Sequence, residues 1–254
     1  MKRKSLSLAL FLLSFVLAGV TPVHAYFLDG DLSDWGVTPF VDWIPGSDSI
    51  RYVEEDNIRH GGGSPWSGEY NDIEALYYDN GQDSLYIALV SSYPQWHSAA
   101  GDLGIDADSN GTFEYGVDLT HFTPSSELFQ RVLLKGPVWQ TLYDYPTNIV
   151  SGTPAGSVDV FYKSYKDIEP QKGYTYIMEM KIARSLFEPF LEIGRNITVS
   201  YALACMNDLI IVPGDVPVPE PATLLLLTAG IAGAFGIRFR KFRHPITRKN
   251  ERMS

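Results

Sequence analysis

Alternation is the feature that most constrains this chain. In residues 174–182 (YTYIMEMKI), Tyr174, Tyr176, Met178, Met180 and Ile182 alternate with Thr175, Ile177, Glu179 and Lys181. A period of two marks extended backbone, whose successive side chains point to opposite faces. Residues 197–204 repeat the pattern, with Ile197, Val199, Tyr201 and Leu203 on one face. Residues 73–78 and 84–91 read as strands joined across Asp79-Asn80-Gly81-Gln82-Asp83, a hairpin signal. Residues 104–106 and 113–119 flank a second Asn-Gly turn, and residues 130–135 and 158–165 add further strands. Only residues 183–188 read as a short helix, and no repeat of about 20–50 residues is visible. The expected class is all-β: an antiparallel β-sandwich of jelly-roll or immunoglobulin-like arrangement over residues 26–212.

Both ends of the chain break this pattern. Lys2, Arg3 and Lys4 precede an apolar stretch over residues 6–20, and Val23-His24-Ala25 ends in a small residue. That is the layout of a secretory signal peptide over residues 1–25, removed by signal peptidase. Residues 222–237 (ATLLLLTAGIAGAFGI) carry no charge and are followed by Arg238, Arg240, Lys241 and Arg243. At 1.5 Å per residue a helix here reaches about 24 Å, short of a hydrocarbon core of about 30 Å. It is nonetheless expected to sit in the membrane, with residues 238–254 as a basic cytoplasmic tail and the body outside.

Charge follows the same division. Residues 26–218 hold 28 Asp/Glu against 10 Lys/Arg, while both ends are basic. Such an acidic body repels phosphate backbones, so nucleic acid is not an expected partner. The single cysteine, Cys205, permits no internal disulfide and is expected to be a small buried hydrophobe in a strand.

Val218-Pro219-Glu220-Pro221, the short apolar stretch and the Arg-rich cluster resemble a PEP-CTERM sorting signal. The resemblance implies a linker over residues 213–221 holding the Pro219-Glu220-Pro221 motif. It also implies an exosortase that recognises the motif and removes the tail, in Gram-negative bacteria that make exopolysaccharide. The tail runs on to Ser254, longer than is usual in that family.

The body opens with Leu28-Asp29-Gly30-Asp31-Leu32-Ser33-Asp34-Trp35, a DG-x-x-x-DW segment. It resembles the start of family 9 carbohydrate-binding modules and related DOMON-like sandwiches. Residues 72–79 and Leu85-Tyr86-Ile87-Ala88 match later strands of that pattern, as do residues 178–187. The resemblance implies a sandwich that binds carbohydrate. Read from the residues alone, Asp-Gly and Asp-Trp are equally a turn and a core aromatic.

The best candidate for chemistry is residues 106–114 (DADSNGTFE). Asp106, Asp108 and Asn110 alternate, Gly111 permits a sharp turn, the Thr112 carbonyl offers a further oxygen, and Glu114 follows at the ninth position. Hard Ca²⁺ takes such oxygen-rich sites. The twelfth position of an EF-hand loop, a bidentate Glu, is Val117 here, so a calcium-clasped hairpin or a simple acidic turn are the two readings. Trp43, Trp66 and Trp96 lie in stretches rich in Pro and Gly. Their flat faces could stack on sugar rings or anchor loops on the core. Residues 59–64 (RHGGGS) suggest an esterase oxyanion loop, but no G-x-S-x-G accompanies them. His60, His97 and His121 show no metal spacing. The expected function is therefore a non-catalytic protein of the cell envelope or extracellular matrix, binding exopolysaccharide and Ca²⁺. The competing reading is an exported hydrolase acting on polysaccharide or peptide.

Overall fold

A computed structural model of the chain describes residues 26–55, 71–97, 99–120, 128–166, 174–187, 197–206 and 208–213. The expected signal peptide, Trp66, residues 59–64, His60, His121, the Pro219-Glu220-Pro221 motif, residues 222–237 and the basic tail lie outside them. Among the described residues no helix is long and apolar enough to cross a membrane.

The described chain is all-β and antiparallel. Ten strands are present: β1 (Arg51–Glu54), β2 (Ile73–Asn80), β3 (Ser84–Ser91), β4 (Leu103–Asp106), β5 (Tyr115–Val117), β6 (Leu128–Leu142), β7 (Tyr145–Lys166), β8 (Tyr174–Ala183), β9 (Thr198–Ala202) and β10 (Leu209–Pro213). The expected helix is a single 3₁₀ turn, Arg184–Phe187. The strands form one sheet in the order β1-β2-β3-β8-β7-β6-β5-β4-β9-β10. β10 returns against β1 and β2, so the sheet is nearly closed into a barrel. The expected two-sheet sandwich is thus replaced by one curled sheet. Period-two patterning fixes which residues face a core, but both architectures bury one face of each strand.

Closure puts the inward faces of nine strands into one core. Tyr78, Leu89, Ile105, Tyr115, Leu133, Tyr162, Met178, Met180, Val199, Tyr201 and Ile210 all belong to it. β2, β3 and β8 are buried on their outer faces too. There the N-terminal segment supplies Tyr26, Leu32, Trp35, Val37 and Ile50, packed on Ala75, Tyr77, Ala88, Val90 and Ile177. The near-continuous burial of β2 follows from this second layer.

Registers place two distinct ends on the barrel. Ile73 pairs with Ser91 and Ser91 with Tyr176, while Leu103 pairs with Tyr201 and Leu209 with Ala202. These residues mark the end crossed by the β3–β4 connection. At the opposite end Asp106 pairs with Thr198 and Thr198 with Pro213, beside the 106–114 loop.

β6 and β7 outrun their neighbours. β5 pairs with β6 only as far as Lys135, and β8 meets β7 only from Val158 onward. The remaining ribbon bends through several register shifts. It then lies back on the outer face of β4 and β5. Thr147 accepts the Asp102 N–H at 2.8 Å, and the Ile149 N–H donates to the Asp102 carboxylate at 2.7 Å. Gly116 makes the close approach possible, since a Cβ there would stand 2.7 Å from Ile149 and 2.9 Å from Trp139.

Candidate functional site

The acidic loop is built on the ends of β4 and β5, whose pairing brings Ile105 opposite Tyr115. That pairing forces residues 106–114 into a compact turn. One ligand atom each from Asp106, Asp108 and Glu114 lies within 4.8 Å of the others. Asp106 is buried, accepting the Asn110 N–H at 3.1 Å and the Gly111 N–H at 2.8 Å. Asp108 accepts the Asn110 N–H at 3.2 Å, and Glu114 accepts the Ala107 N–H at 2.9 Å. The Asn110 side chain donates to Glu114 at 3.3 Å and accepts the Thr112 N–H at 2.8 Å. All five residues singled out from sequence are therefore joined in one network, Asn110 to Glu114 side chain to side chain and the others through backbone N–H groups donating to side-chain oxygens. Convergent carboxylates held by backbone donors are chemically suited to a hard cation.

The three tryptophans have different surroundings. Trp43 is half-buried, packed against the outer layer with its ring edge-on to Phe40 and its carbonyl accepting the Tyr77 hydroxyl at 3.0 Å. Trp96 lies on the β3–β4 connection and keeps 43% of its surface exposed. Its ring stands perpendicular to Tyr176 at 5.3 Å and to Tyr162 at 6.4 Å. Hydrogen bonds of Gln95 tie the start of the connection to the barrel. Gln95 donates to the Gly101 carbonyl at 2.7 Å and accepts the Tyr201 hydroxyl at 2.8 Å, while its N–H donates to the Tyr162 hydroxyl at 3.2 Å. Tyr93 and His97 are hydrogen-bonded to each other on the same connection.

The DG-x-x-x-DW segment has a partner that sequence reading assigned only to a strand's polar face. Glu179 of β8 is fully buried. Its carboxylate accepts the Asp29 N–H at 3.0 Å, the Gly30 N–H at 2.6 Å and the Trp35 indole N–H at 2.9 Å. Gly30 is required twice over: its φ is +74°, and a Cβ would meet Lys163 at 2.7 Å. Trp35 is buried in the outer cluster, so the motif serves as turn and core aromatic. Burial pushes Glu179 up to about 7, although its three donors favour the charged form. No signal short of the tertiary contact marked this residue, since Glu on the polar face of a strand is ordinarily solvated.

Cys205 is exposed. The chain leaves β9 at Ala202 and turns, with the Met206 N–H donating to the Leu203 carbonyl at 2.7 Å, so the expected buried strand position does not exist.

Comparison with protein families finds one match, the PEP-CTERM protein-sorting motif, over residues 217–241. Curated proteins and solved structures give no match, so the likeness of the body to family 9 modules has no relative or structural neighbour behind it. The matched stretch contains Pro219-Glu220-Pro221, the apolar segment and Arg238, Arg240 and Lys241. The chain carries a PEP-CTERM sorting signal, which marks it for export to the cell envelope with an exosortase as processing partner.

Proposed function

We propose that this is a non-catalytic protein of the cell envelope or extracellular matrix, whose β-barrel body binds carbohydrate and holds Ca²⁺ in the 106–114 loop. The sorting signal supports the destination. The half-exposed Trp96 ring, packed edge-on against Tyr176 on the β3–β4 connection, is the observation that carries the carbohydrate reading. Aromatic faces stack on the apolar C–H faces of sugars, and a weak single site gains strength when many copies meet a polymer. The convergence of Asp106, Asp108 and Glu114 supports the ion.

Thermal melts of the purified protein test the ion. An ion that binds only the folded state stabilises it by about 2.7 kcal/mol at 100 times its Kd. For a domain of this size each kcal/mol raises Tm by about 2–4 °C. Millimolar Ca²⁺ should raise Tm above its value in EDTA, and Asp108→Ala should abolish the rise while Asp48→Ala retains it. An unchanged Tm between EDTA and Ca²⁺ would leave the loop a simple acidic turn.

A further inference from the structure

The rim of the barrel where β8 begins carries more aromatic surface than Trp96 alone. Tyr162, Tyr176 and Tyr174 form a row of near-parallel rings. Tyr162 and Tyr176 are 5.6 Å apart at 14°, and Tyr176 and Tyr174 are 6.3 Å apart at 19°. Exposure climbs along the row from 1% at Tyr162 through 7% at Tyr176 to 47% at Tyr174, so the row runs from core to rim. Trp96 meets this row at 87° to Tyr176, making a corner of one indole wall and one phenol wall. Strand alternation places Tyr174 and Tyr176 on the same face, and the β3–β4 connection brings the indole against Tyr176.

We propose that the exposed rings of Trp96 and Tyr174, both packed on the buried Tyr176, form the carbohydrate site, and that it takes the pyranose rings of an uncharged polysaccharide. This rests on the carbohydrate-binding reading above and names its place and its ligand class. A pyranose presents a flat face of C–H bonds and a rim of hydroxyls. The exposed rings offer stacking surface for the face, and the phenol of Tyr174 offers a donor and acceptor for the rim. A purely apolar partner would leave that hydroxyl without a hydrogen bond. Charge selects against acidic polymers. Residues 26–218 carry 28 acids against 10 bases. Lys166, opposite Tyr174 in register, is an exposed cation set against that excess.

Affinity electrophoresis of the detergent-solubilised full-length protein tests the assignment. The gels contain hydroxyethyl cellulose, laminarin or galactomannan as neutral polymers, or alginate as the acidic one. Wild type should be retarded by at least one neutral polymer and not by alginate. Trp96→Ala and Tyr174→Ala should each weaken retardation by about three- to tenfold, the effect of one stacked ring. Trp96→Tyr should keep most of it, and the exposed Asp48→Ala should match wild type. Melting temperatures of the variants, measured in parallel, separate lost binding from lost folding. Wild-type retardation of the stably folded Trp96→Ala/Tyr174→Ala double variant would overturn the site and leave the carbohydrate reading standing. Retardation by alginate alone would overturn the ligand class, and failure of wild type in all four gels would overturn site and reading together.

Discussion

At the scale of single residues, Glu179 shows how a buried charge can hold a segment in place. Its carboxylate gathers two backbone N–H groups and one indole N–H from residues 29–35, and Tyr165 adds a hydrogen bond to the Gly30 carbonyl at 2.5 Å. Removing the acceptor strands three donors beneath the outer layer, each worth about 1–3 kcal/mol when left unsatisfied. Glu179→Ala should therefore lower stability by about 3 kcal/mol or more, and Trp35→Phe, which removes one donor and some apolar surface, by less. Chemical denaturation measures both. Limited proteolysis should show residues 26–50 cleaved first in Glu179→Ala. An Ala variant as stable as wild type would mean that the segment is held by its apolar contacts alone.

Among the elements, the β6–β7 ribbon is the one whose form owes least to its own sequence pattern. Residues 130–135 and 158–165 read as two ordinary strands, whereas β6 and β7 extend over Leu128–Leu142 and Tyr145–Lys166. Their connecting turn carries no Asn-Gly. Tyr143 and Asp144 instead both adopt positive φ, at 51° and 68°, the conformation that a two-residue hairpin turn requires. Asp tolerates this region, but Tyr there gives no turn signal. The ribbon is then held down by Asp102 and by the bare face of Gly116. Gly116→Val should push Ile149 and Trp139 outward, at a cost of about 1–3 kcal/mol for overpacking. Hydrogen exchange should quicken in residues 138–150 while the β2–β3–β8 region keeps its protection. Unchanged exchange there would mean that the ribbon absorbs the added methyl groups by rotamer shifts.

For the molecule as a whole, buried carboxyls set the response to pH. Burial raises Glu179 from 4.5 to about 7 and Asp102 from 3.8 to about 6, with the charge of Asp118 adding to the Asp102 shift. Asp208 is also raised, first by burial and then by its hydrogen bond to Asp72 and the nearby charge of Glu55. Between the unfolded and folded values the native state holds more protons than the unfolded chain, so stability falls as pH rises. The contribution is complete below pH 3.8, the lower of the two unfolded values, and is lost as pH climbs through about 6 for Asp102 and about 7 for Glu179. Tm should therefore decline from pH 5 to pH 8. Asp102→Asn should flatten the lower part of that decline and Glu179→Gln the upper part. A Tm that rises over the same interval would show that paired surface charges outweigh these carboxyls.

Strand class, the positions of several strands and the sorting signal were legible in the residues themselves. Period-two alternation at residues 73–78, 84–91 and 174–182 and the turn at residues 79–83 are local properties, and the structure places β2, β3, β8 and their hairpin there. The sorting signal is a linear pattern, readable because its recognition needs a stretch of chain and not a fold. The acidic loop was legible for the same reason, because Asp106, Asp108, Asn110 and Glu114 are close in sequence and one hairpin turn gathers them. Closure of a single sheet was not legible. Nothing local to β10 announces that it returns to β1 and β2, where Asp208 accepts the Ile73 N–H across 135 residues. The outer layer, the Glu179 contacts and the edge-on packing of Trp96 on Tyr176 likewise join segments distant in sequence. Alternation tells a side chain which face it occupies. Only tertiary packing decides what covers that face, because burial depends on the curvature and connection of the whole sheet.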